Sequence, residues 1–138
     1  MASLESFVLI ENMLKTSWAE TDLVFENEDY ELPGVPTEFV YVEIVGDMYE
    51  QETFGAPGNN LWLESGSVEL HVMTPVGIGS RNARGIGERL SALFRERPLG
   101  DIIFGVMSIG AGQPGKDFAN YFAITVSIEW GRQDITQP

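Results

Sequence analysis

Three stretches of this chain alternate with period two, and no other feature constrains the fold as tightly. Val40, Val42 and Ile44 alternate with Phe39, Tyr41 and Glu43; Val68, Leu70 and Val72 alternate with Glu69, His71 and Met73; Phe122, Ile124, Val126, Ile128 and Trp130 occupy every second position of the third. Successive side chains of a strand point to opposite faces. Each stretch therefore reads as a strand that buries one face and shows aromatic, polar or charged groups on the other. Gly46 marks an expected bulge, after which residues 48–54 continue as strand. Residues 55–60, GAPGNN, are the plainest turn and imply a long hairpin returning at 61–64. Ser65-Gly66-Ser67 separates that return from the strand at 68–73, and residues 110–117, GAGQPGKD, join a strand at 102–109 to the one at 118–130.

A sheet with one apolar face needs cover, and two segments have helical spacing. In residues 4–19, with Ser3 as N-cap, Leu4, Phe7, Ile10, Met13 or Leu14, and Trp18 keep to one side. In residues 74–94, Thr74-Pro75 and the closely spaced Gly77 and Gly79 turn the chain out of a strand, and Ser80 is the expected N-cap. Ala83, Ile86, Leu90, Leu93 and Phe94 then form an apolar face, with Arg81, Arg84, Glu88 and Arg95 on the opposite stripe. Each buried Leu, Ile or Phe contributes roughly 1.5–3 kcal/mol, so docking outweighs the roughly 1 kcal/mol that Gly85 and Gly87 each cost the helix. Between the first helix and the first long strand lie a short apolar run, Leu23 to Phe25, and an acidic, Pro-containing segment at 26–36 that reads as irregular and exposed. The order α-β-β-β-β-α-β-β predicts an α+β domain, a mainly antiparallel sheet with long hairpins packed by an N-terminal and a central amphipathic helix. One domain is expected over residues 1–138, with 132–138 a flexible tail.

Charge bears on partners. The chain of 138 residues has a net charge of −13 and no cysteine. Non-specific contact with nucleic acid or an anionic membrane is disfavoured, and thiolate chemistry is excluded. No apolar run reaches the length of a membrane span, and the start MASLESF carries no basic segment of a secretory signal, so a cytoplasmic site is expected. Residues 1–75 hold fifteen acids against Lys15 alone, whereas 76–138 are nearly balanced. The bland reading is a solubilising acidic surface. The sharper one places the acidic part of one copy against the Arg stripe of another, in head-to-tail association.

Motifs for chemistry are incomplete. Residues 110–117 match a phosphate loop until the last position, where Asp117 replaces the hydroxyl that binds magnesium. Pro114 lacks an amide hydrogen and a strand follows, so the segment reads as a hairpin turn, and a nucleotide site there is the alternative. Gly77 and Gly79 begin a dinucleotide-type pattern that fails at Asn82. His71, the only histidine, reads as a surface residue, and no spacing selects a pair of carboxylates for acid–base work. No cofactor, metal site or catalytic residue is expected.

One further pattern is carried by a first helix ending in Trp18, then Asn27, Tyr30 and Pro33, then an aromatic, β-branched strand and hairpin. After Gly66 come a strand at 68–73, Thr74-Pro75, the turn Gly77 to Gly79 and an amphipathic helix ending at Phe94. Over residues 4–95 this resembles the tail terminator (tail-completion) family of long-tailed phages and phage-derived gene transfer agents. The resemblance implies a non-enzymatic ring, commonly six-membered, on the head-proximal end of the tail tube. Such a ring stops tube growth and presents a surface to the head connector or stopper protein, while DNA passes through its lumen unbound. It also implies assembly in the bacterial cytoplasm and residence at the head–tail junction of the virion. A head-side stopper or another neck ring is the nearest alternative, and a small-ligand or nucleotide-binding α+β enzyme is the alternative of another class. Charge and amphipathicity select Arg81, Arg84, Arg89, Arg95, Glu50 and Glu52 as candidate subunit-interface residues. Tyr49, Phe54, Gly55, Asn59 and Asn60 are the candidate hairpin surface toward tube or neck.

Overall fold

The computed structural model describes residues 3–28, 30–32, 36–51, 53, 55, 60–95, 99–114 and 120–135. They form α1 (Leu4–Ser17), β1 (Asp22–Phe25), β2 (Phe39–Gln51), β3 (Leu61–Pro75), α2 (Arg81–Phe94), β4 (Ile102–Pro114) and β5 (Tyr121–Ile135). The sheet runs β1-β2-β3-β5-β4. β1 is parallel to β2, and the other neighbours are antiparallel. The class is α+β, as the alternation predicts.

The period-two residues behave as their spacing dictates. Val40, Val42, Ile44, Val68, Leu70, Val72, Ile124, Val126 and Ile128 are buried under both helices. From α1 come Ile10, Met13, Leu14 and Trp18, and from α2 Ala83, Ile86, Leu90 and Phe94, while Leu4 stays exposed at the start of α1. Ser3 caps α1, its hydroxyl accepting from the Ser6 amide at 3.3 Å. Ser80 does not cap α2: its backbone is already helical and its hydroxyl accepts instead from Arg84 Nε at 3.3 Å. Gly77 and Gly79 adopt positive φ, 95° and 81°, as the tight strand-to-helix turn requires.

Four details depart from the expected outline. Residues 61–75 form one strand, not two, because Ser65-Gly66-Ser67 is not a turn. The pairing of β2 with β3 shifts between Gly46 and Met48, confirming the bulge. There a Cβ at residue 66 would lie 2.0 Å from the Val45 carbonyl oxygen and 2.8 Å from the Trp130 ring. Glycine is needed for that close approach, and the strand passes through it unbroken. Second, residues 132–135 of the expected tail are paired strand. Third, the second face of the sheet is not merely exposed: Phe39 and Met73 are fully buried there with Val24, Tyr121 and Ala123. Tyr30 covers them from the acidic connection, its ring 4.9 Å from Phe39, which lies 5.1 Å from Tyr121. The Tyr30 hydroxyl donates to Asp22 at 3.1 Å. Burial, then that bond and carboxylate, pushes its pKa up to about 12. Fourth, α1 stops at Ser17, where Trp18 leaves helical geometry and its indole N–H donates to Thr21 at 2.9 Å. Among the described residues, no helix is long and apolar enough to cross a membrane.

Candidate assembly interface

The apolar face of α2 fixes where its basic stripe points. Gly87 sits directly over the sheet, where a Cβ would lie 3.0 Å from a Val126 methyl, so the helix lies close and cannot roll. Arg81, Arg84, Glu88 and Arg95 are consequently exposed. Among the described residues, Arg81, Arg84 and Arg95 have no acidic partner within ion-pair distance. Arg89 differs. It clasps Glu20 with two nitrogens, Nε at 2.9 Å, tying α2 to the connection after α1, and that carboxylate raises the pKa of the guanidinium. Of the four expected arginines, three are exposed with no acidic partner among the described residues, Arg84 bonding to Ser80, and Arg89 is held by Glu20 of its own chain.

The acidic side of the expected pairing sits on the distal half of β2. Glu50 is exposed there with Asp47, beside the apolar side chains of Val45, Met48 and Tyr49. Tyr49 rests edge-on against Trp62 at 5.6 Å. At the hairpin end Gly55 is exposed with φ 93°. Asn60 points inward instead: it is buried, 3.4 Å from the Thr53 hydroxyl, which in turn accepts from the Leu61 amide at 2.7 Å. Its side chain braces the hairpin rather than facing a partner. Glu52, Phe54 and Asn59 lie outside the described residues.

Two polar clusters escaped the sequence. Glu64, 2% exposed, stands directly across from Arg132 in the β3–β5 register. Its carboxylate accepts from Ser6 Oγ at 2.6 Å, from the Ser3 amide at 2.7 Å, from Ser3 Oγ at 2.8 Å and from Arg132 Nε at 3.3 Å. Arg132 reaches on to Glu5 at 3.2 Å. Burial pushes the Glu64 pKa up, but the bonds from Ser6, Ser3 and Arg132 outweigh it and hold the carboxyl below its ordinary value. This network pins the first turn of α1 to the sheet.

The second cluster corrects the reading of His71, which is 2% exposed. The β-register sets it between Tyr41, stacked at 6.0 Å, and Thr125. Its Nε2 donates to Glu43 at 2.5 Å and its Nδ1 meets the Thr125 hydroxyl at 2.7 Å. Hydroxyl, imidazole and carboxylate stand in line, as in a nucleophilic relay. The line joins β2, β3 and β5 across the outer face of the sheet. Beside it Glu69 accepts from Ser67 at 3.0 Å and Ser127 at 2.9 Å. Among the described residues, no group of three His, Asp or Glu side chains could hold a metal. The phosphate-loop-like segment begins in β4, and Gly115, Lys116 and Asp117 lie outside the described residues.

No family model and no curated protein matches this chain. Among the solved structures that match, one 15% identical in sequence aligns over 93% of this chain and 96% of its own with a TM-score of 0.63. At that identity the likeness is one of fold alone.

Proposed function

We propose that this chain is a structural assembly protein, a tail terminator that closes into a homo-oligomeric ring on the head-proximal end of a phage or gene-transfer-agent tail tube. The observation that carries the proposal is the division of charge. Among the described residues, Arg81, Arg84 and Arg95 are exposed along α2 and at its end with no acidic partner, while Asp47 and Glu50 are exposed on β2, toward the other side of the sheet. Complementary patches on different surfaces of one subunit favour heterologous contacts, and these close into rings when the rotation permits. The resemblance over residues 4–95 supplies the rest: one rim adds to tube subunits and stops their polymerisation, and the other accepts the head connector. The mechanism is geometric, with no bond made or broken.

Exposed ion pairs contribute only about 0–1 kcal/mol each, so the arginines select register and partner, and exposed apolar groups supply affinity. Light scattering of the full chain, with and without tail-tube subunits, tests this reading. A multimer of fixed mass, weakened by salt, is expected. A chain that stays monomeric at high concentration even with tube subunits overturns it. Binding to connector subunits in preference to tube subunits would identify a head-side stopper instead.

A further inference from the structure

β4 is a long edge strand with nothing along its outer side among the described residues. Open edges are normally guarded by charge, proline, brevity or β-bulges; β4 has two bulges and a terminal Pro114, but residues 102–114 contain no charged side chain. Instead β4 presents Ile103 and Val106, 74% and 67% exposed, and Ile109. Its pairing with β5 shifts twice, between Phe104 and Met107 and between Ile109 and Gly112. These irregularities bend the strand but put no charge on it. Arg95, at the end of α2, lines a groove with Phe104, Met107 and Ile109, so a cation stands beside an apolar edge.

The other edge of the same sheet is complementary. β1 covers β2 only at residues 39–42, and the Glu26 carboxylate takes the Ile44 amide at 2.7 Å. Beyond that point no described strand lies outside β2, and residues 45–50 expose Val45, Met48 and Tyr49 with Asp47 and Glu50. One edge is apolar with a neighbouring arginine; the other is apolar with two carboxylates. Because they bound opposite ends of one sheet, joining them between copies is head-to-tail.

We propose that β4 of one copy adds to the distal half of β2 of the next, extending the sheet across the subunit boundary with Arg95 against Asp47 and Glu50. This rests on the ring reading and specifies its contact. Strand addition supplies main-chain hydrogen bonds, the apolar pairs exclude water and the charges set direction.

The absence of cysteine makes disulfide trapping clean. A Val106→Cys chain is mixed under mild oxidation with chains carrying Val45→Cys, Met48→Cys or Glu50→Cys, and with an Ala92→Cys control on the exposed side of α2. At least one β2 variant should give a band at twice the monomer mass that disappears on reduction, with none from the control or from Val106→Cys alone. No mixed band, a band equal to the control's, or Val106→Cys pairing with itself overturns the edge contact. Placing the successful pair of cysteines in one chain then separates the two ideas. A ladder ending in one closed species supports the ring, whereas a ladder that runs on without closing leaves the edge contact standing and refutes the ring.

Discussion

Glu64 shows how much one side chain organises here. A carboxylate buried at the β3–β5 ladder survives because Ser3, Ser6 and Arg132 all donate to it. Removing the carboxylate leaves the Ser3 and Ser6 donors without their acceptor while Arg132 still meets Glu5, so Glu64→Leu should cost about 1–3 kcal/mol at neutral pH. Because the folded pKa is depressed, the charge contributes stability above the unfolded value, near pH ~4.3, and loses it as pH falls through the folded value. Urea unfolding of wild type and variant across pH should show a gap that is widest above about pH 5 and narrows in acid. A constant gap would mean that packing, not charge, is what the variant loses. Gly66 gives a second test. With a carbonyl 2.0 Å from any Cβ, Gly66→Ala should destabilise by about 1–3 kcal/mol or more, and an unchanged thermal midpoint would contradict the described bulge. Neither residue's role was legible in sequence. The Glu64 partners lie 58 to 68 residues away in the chain, and Gly66 resembled a turn because no local pattern records a carbonyl from another strand.

At the scale of the element, α2 was the most legible piece. Ala83, Ile86, Leu90 and Phe94 are buried as their spacing required, because a helix that packs on one side writes its period into the chain. The outer faces of the strands were less legible. Phe39, Met73 and His71 occupy alternate positions that look exposed, but Tyr30 and the β-register cover them with residues from distant segments. Arg84→Glu lies on solvent-exposed surface, so the unfolding free energy should move by no more than about 0.5 kcal/mol. Association should nevertheless weaken, measured as a loss of the multimer by light scattering at low salt. Intact association would confine the stripe to solubility. Arg89→Ala, in contrast, removes an intramolecular clasp to Glu20 and should leave association unchanged.

Taken as a whole, the described residues form a sheet with two helices on one face, a partial second core on the other and two unlike edges that no described strand covers. Such a subunit has a direction: its uncharged edge and its acidic edge are at opposite ends, and α2 adds cations near the first. A directed subunit suits a closed, one-sided assembly, which is what a tube end requires. In the proposed ring, the acidic excess of residues 1–75 would face the arginines of a neighbouring copy. Where the proposed ring sits can be seen by cryo-electron microscopy of tails bound to a tagged copy of this chain. A terminator should give a single ring of label at one end of each tail tube, the end that joins the head. Label spread along the tube, at the opposite tip or absent from tails that carry intact ends would contradict it.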